Sequence, residues 1–140
     1  MYGWHARGSG YANTVSEGDF AKYQERIDKS YELTELALTL EEKDAYLYRI
    51  KAELAVDLGQ SAAEMESILI RSLEVDPEYS APLSEAVRYY LPRWHGAPGD
   101  LEKFIAHGAD LTRAQLGESF YAKGVIETTK FHSSDVFEDF

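Results

Sequence analysis

YLYRIKAELAVDLGQSAAEMESILIRSLEVDPEY, residues 46–79, holds two helical periodicities, a turn between them and a stop after them. The first predicts a helix over about 42–58, with Tyr48, Ala52 and Ala55 on one side and Leu47, Ile50, Leu54 and Leu58 on the other. Two apolar sides require burial between neighbouring helices. Gly59 is a natural left-handed C-terminal cap. Ser61 caps the next helix, Glu64 completes its capping box, and Met65, Ile68, Leu69, Ser72 and Leu73 form an inner stripe. Asp76-Pro77 stops it, because proline lacks an N–H and disfavours helix in the residue before it. So short a connection makes the two helices antiparallel neighbours.

Upstream, Ser16 and Asp19 resemble a capping box. Phe20, Tyr23, Ile27, Tyr31, Thr34 and Leu38 then recur at helical spacing, which predicts a long helix over 17–39. Residues 1–13 read as a short helix start and a glycine turn at Gly8-Ser9-Gly10. Downstream, a fourth helix runs from about Ser80 to Leu91, with Pro82 in its first turn, where a missing N–H costs nothing. Pro92-Arg93-Trp94-His95-Gly96-Ala97-Pro98-Gly99 is the longest break. A fifth helix opens at Asp100, carries Leu101, Phe104 and Ile105, and is expected to close near Gly108. Thr112 is expected to open a sixth, with Leu116, Phe120, Tyr121, Val125 and Ile126. Ser133 or Ser134 would cap a seventh. No run alternates as a strand does. The fold class is all-α, a single domain over residues 1–140 of antiparallel helix pairs with six to seven helices.

Residues 46–79 have the 34-residue length and terminal proline of a tetratricopeptide repeat, and residues 80–113 give a second pair of the same length. The side-chain signature is weak: Arg49, Glu53 and Val56 stand where that repeat carries tryptophan, glycine and tyrosine. An irregular helical bundle accounts for the same pattern.

Residues 4–15, WHARGSGYANTV, and residues 90–100, YLPRWHGAPGD, are similar to recurring segments of an uncharacterised bacterial family with tetratricopeptide-like helices. Asp76-Pro77-Glu78-Tyr79 and Tyr121-Ala122 fall in the family's order. The resemblance implies a helical-repeat fold and transfers no activity and no catalytic residue. Members of that family carry helices before the Trp4 segment and continue past the position of Phe140, so the resemblance implies a minimal member or a piece of a longer helical-repeat protein.

The formal charge is −11. Residues 17–78 carry 16 acids against 7 bases, while residues 79–140 carry 9 against 6. Such a field repels phosphate backbones, which argues against nucleic acid, and favours a basic partner. It also keeps a surface solvated. No stretch nears eighteen apolar residues, so no membrane span is expected. Without cysteine there are no disulfides or thiolate chemistry, which fits a reducing compartment, and residues 1–7 lack a signal-peptide pattern. A cytoplasmic location is the expectation.

Chemical motifs are sparse. His5, His95, His107 and His132 make no i, i+4 pair and no HExxH, so neither a metal nor any other cofactor is expected. Glu41, Glu42 and Asp44 read as a helix N-terminus and as a solvent-facing acidic patch. Arg93 and Trp94 sit in a rigid loop that could present a ring to a partner, but the favoured expectation is a buried Trp94 and an ion-paired Arg93. Arg7 is expected in a salt bridge. Seven of the ten tyrosines, Tyr89 and Tyr90 among them, fall on predicted helices, at a binding face or at the core edge. The expectation is a non-enzymatic protein-interaction module with Arg93, Trp94, His95, Tyr89, Tyr90, Glu41, Glu42 and Asp44 as binding residues. An immunity or antitoxin protein capping a basic toxin is one form of it. The alternative is a small hydrolase or metal-dependent enzyme centred on His95.

Overall fold

The computed structural model describes residues 15–131. Among them are six helices and no strand: α1 (Glu17–Leu40), α2 (Ala45–Leu58), α3 (Ala62–Val75), α4 (Ala81–Tyr90), α5 (Asp100–Leu116) and α6 (Ser119–Thr129). The chain is all-α, as its periodicity predicts. No helix among the described residues is long and apolar enough to cross a membrane. The expected short N-terminal helix, the Arg7 salt bridge and the seventh helix at Ser133 or Ser134 lie outside the described residues.

The start and stop residues act as their chemistry dictates. Ser16 Oγ accepts from Asp19 N at the head of α1, and Ser61 Oγ accepts from Glu64 N at the head of α3. Gly59 takes φ +62° after α2, and Gln60 N donates to Ala55 O to close the turn. Asp76 ends α3 in extended geometry just before Pro77.

The two apolar sides of α2 feed two separate clusters. Ala52, Ala55 and Val56 join Met65, Ile68 and Leu69 of α3 and the buried residues of α4, α5 and α6 in the main core. Leu54 turns the other way and meets Tyr23 and Ile27 of α1, with Ile50 and Leu58 packed alongside. Phe20, placed on the same predicted stripe, is instead half exposed beyond the end of α2's cover. α4 is the hub: it packs on α2, α3, α5 and α6, so α2, α4 and α6 follow one another side by side.

The C-terminal half corrects one expectation. Gly108 does not close α5 and Thr112 does not open α6; both lie inside one helix that runs on to Leu116. A Cβ on Gly108 would strike the Phe120 ring, so this glycine serves close helix packing rather than a cap. Gly124 does the same from α6, where a Cβ would come within 2.7 Å of Ile105 Cγ2. Thr112 spends its hydroxyl on Gly108 O, four residues back in the same helix. The break falls at Gly117, φ +57°. The second 34-residue unit therefore overruns residue 113. The inner face of α6 is Phe120, Gly124, Glu127 and Thr128, while Tyr121 and Ile126 face out.

Candidate functional site

The loop after α4 folds on its own backbone. Trp94 N and Gly96 N donate to Leu91 O, and His95 N donates to Tyr89 O. Gly96 lies directly against Tyr90 O, where no side chain would fit. His95 Nε2 lies 2.8 Å from Val56 O. A carbonyl can only accept, so this nitrogen carries the proton and donates. The His95 ring also leans on Tyr89, with centroids 4.8 Å apart. His95 thus ties the loop to the end of α2.

Tyr89 and Tyr90 are buried. Tyr89 donates its hydroxyl to Gln60 O at 2.7 Å and Tyr90 to Ala62 O at 3.3 Å, anchoring α4 to the α2–α3 turn. Burial pushes the Tyr90 phenol up to about 12 and raises that of Tyr89. Neither side chain is offered to a partner, contrary to the expectation that both are binding residues.

Trp94 is the reverse correction. Its side is not plugged into the core: it is 36 % accessible, with the Arg88 guanidinium 5.2 Å from the ring centroid. The loop is turned tightly on Leu91 O, and its contact with α2 is made by His95 through Val56 O, while both rings keep solvent access. Arg93 is exposed and has no ion pair among the described residues, so the expected pairing is absent there. Glu41 and Glu42 are exposed at the α1–α2 turn, as expected. Asp44 is not a free surface acid: its Oδ1 accepts from Tyr46 N and caps α2. These three acids sit at the opposite end of α2 from the residues His95 touches.

Arg88 leads from Trp94 to a cluster that sequence reading did not single out. Arg49, Glu53 and Asp57 follow at four-residue spacing along the edge of α2 that faces α4. Arg49 Nη2 is 2.9 Å from Glu53 and 3.6 Å from Glu85 of α4; Arg88 Nη2 is 3.1 Å from Glu85. The Glu85–Arg88 contact is a charge contact without hydrogen-bond alignment, since Arg88 Nε and Nη2 lack an aligned acceptor among the described residues. The Tyr46 ring lies 6.0 Å from the Arg49 guanidinium. The row thus holds three carboxylates against two guanidiniums, half-buried. Burial holds the Asp57 carboxyl above the usual range although Arg88 and a Tyr23 hydrogen bond pull it down. Burial likewise raises Glu85, against Arg88 and Arg49. Next to the row is a surface hollow of about 430 Å³ lined by Arg49, Tyr79, Ser84, Glu85, Glu127 and Lys130. The sequence clue was the i, i+4, i+8 row on α2; nothing local said that α4 would set Glu85 and Arg88 against it.

Among the described residues histidine and carboxylate side chains do not converge as a metal site would require. His107 Nε2 pairs with Glu66 at 3.0 Å, on partners distinct from those of His95. Among the described residues no three His, Asp or Glu side chains come together as a metal ion would need. Comparison with models of known protein families found no match, and comparison with curated proteins and with solved structures found none.

Proposed function

We propose that this chain is a protein-interaction module that holds a basic segment of another protein on the face shared by α2, α4 and α6. One observation carries it: the half-buried row Arg49, Glu53, Asp57, Glu85 and Arg88 holds one carboxylate more than it has guanidiniums, beside the partly exposed rings of Trp94 and Tyr46. A lysine or arginine from a partner would add positive charge beside these carboxylates where water screens poorly, and the rings suit its stem and head. The side-by-side order of α2, α4 and α6 supports a tetratricopeptide-like scaffold, whose alternate helices line one surface. His95 spends its protonated nitrogen on Val56 O, which supports a structural and non-catalytic role for it. An immunity- or antitoxin-type protein that caps a basic toxin is the specific form proposed, with a cytoplasmic location.

The test follows Trp94 emission in a Trp4→Phe background during titration with an oligoarginine peptide, with oligoglutamate as control. We expect a saturable change with oligoarginine alone. It should be lost in Asp57→Asn/Glu85→Gln and kept in Glu41→Gln/Glu42→Gln. Equal binding by both double variants, or no saturation, would overturn the assignment. So would a turnover reaction abolished by His95→Ala in folded protein.

A further inference from the structure

The packing of α1 is against α2, and its far side carries Leu33, Leu36 and Leu40 at i, i+3 and i+7. They are 53 %, 57 % and 82 % accessible. A single exposed leucine is ordinary, but three in one helical stripe form a contiguous apolar patch with nothing over it among the described residues. The preceding two turns of the same stripe carry Lys22 and Lys29, whose side chains are about two-thirds accessible. Carboxylates stand beside the leucines: Glu32 precedes Leu33 and Glu41 follows Leu40. One face of one helix therefore carries Lys22, Arg26 and Lys29 with a single carboxylate, Glu25, in its first half, and is apolar with acidic neighbours in its second.

That pattern is complementary to its own reverse. We propose that two copies of this chain pair α1 against α1, antiparallel, so that Lys29 and Lys22 of one copy cover Leu33 and Leu40 of the other. The register is self-consistent: Lys22 lies seven residues before Lys29 and Leu40 seven after Leu33, two helical turns in each case. The lysine stems lie over the leucines and their ammonium groups reach Glu32 and Glu41 of the second copy. The exchange costs little inside each chain. Lys29 now pairs with Glu32 at 2.8 Å and Lys22 with Asp19 at 3.6 Å, both exposed pairs of the weak kind. A twofold axis makes every contact twice, as in any isologous dimer. The charge of −11 on each chain opposes close approach, so the pairing needs salt: at physiological strength the field is screened over about 8 Å while direct contacts persist.

Sedimentation equilibrium of the full chain at micromolar concentration and physiological salt tests this directly. We expect a mass twice 15.8 kDa. Leu33→Lys, with its helicity and melting temperature kept, should raise the dimer Kd at least about tenfold, because it sets a like charge against Lys29 of the second copy. The chain has no cysteine, so introduced thiols report orientation. A mixture of Lys29→Cys and Leu33→Cys should oxidise to the mixed disulfide ahead of either homodimer. A monomer throughout, a dimer indifferent to Leu33→Lys, or preferential Leu33→Cys homodimers would each overturn the proposal. None of these outcomes touches the oligoarginine titration of the α2–α4–α6 face.

Discussion

The two polar edges of α2 carry the same excess of acid and behave in opposite ways. On one edge Lys51 Nζ lies 2.8 Å from Glu35 and 3.0 Å from Glu64, under the Tyr31 ring, with Tyr31 donating to Glu64. On the other, Arg49 and Arg88 face Glu53, Asp57 and Glu85. Among the described residues each cluster has one more carboxylate than cationic side chains. At the first, the hydrogen bond from Lys51 lowers the Glu64 pKa, and Glu35 and Glu64 raise that of Lys51 against its burial. At the second, burial outweighs the guanidiniums and the Asp57 and Glu85 values rise. The difference is water. Glu35 and Glu64 keep a third to a half of their side chains in solvent, whereas Glu85 keeps 15 %. Charge count alone would have made the two edges alike; desolvation separates a cluster whose carboxylates are stabilised from one whose carboxylates are held above their ordinary range.

Arg88→Ala is the strongest way to break that contrast. It strips Glu85 and Asp57 of the guanidinium they share and should cost about 3 kcal/mol, the low end for breaking a buried pair because some water reaches both partners. Urea denaturation measures it. Lys51→Ala on the opposite edge should cost only about 1 kcal/mol, since its carboxylates can turn to solvent, and the Glu64 pKa should climb back toward its ordinary value in an NMR titration. Equal losses at Arg88 and Lys51 would erase the distinction.

The pH dependence should differ in sign. Glu64 is lowered from 4.5, so its contribution is full above that value and is lost as pH falls through the lowered one. Asp57 and Glu85 are raised, so the folded chain holds their protons longer than the unfolded chain does. Their penalty is absent below their ordinary values of 3.8 and 4.5, grows as pH rises toward the raised values, and is complete above them. Asp57→Asn should flatten the decline in stability between those limits, as read from melting temperatures across pH.

Smaller effects mark the ends of the row. Trp94→Ala should cost about 1 kcal/mol, the scale of a cation–π contact at an accessible ring, rather than the larger loss of a buried tryptophan. Asp44→Ala should cost about 1 kcal/mol through the lost cap on α2. Glu41→Lys with Glu42→Lys should change stability by less than about 0.5 kcal/mol, as exposed positions do, so only Asp44 of that trio should register in a thermal melt.

The sequence by itself determined the helices, their caps and their apolar stripes, because these depend on residues within four positions of one another. Ser61 and Glu64, Gly59, and the two-sided α2 are local facts, and the structure repeats them. Where a residue's use depended on a distant partner, local chemistry misled. Gly108 looks like a cap until the Phe120 ring arrives from α6, and Trp94 looks like a core residue until the loop turns on Leu91 and leaves its ring at the surface against Arg88. Tyr89 and Tyr90 read as interface residues until their hydroxyls find Gln60 O and Ala62 O across the bundle. The charge row is wholly a tertiary product: Arg49, Glu53 and Asp57 are an ordinary solvated helix edge in sequence. Only the packing of α4 against α2 removes enough water to raise Asp57 and Glu85, because desolvation is a property of the surroundings and not of the residues themselves.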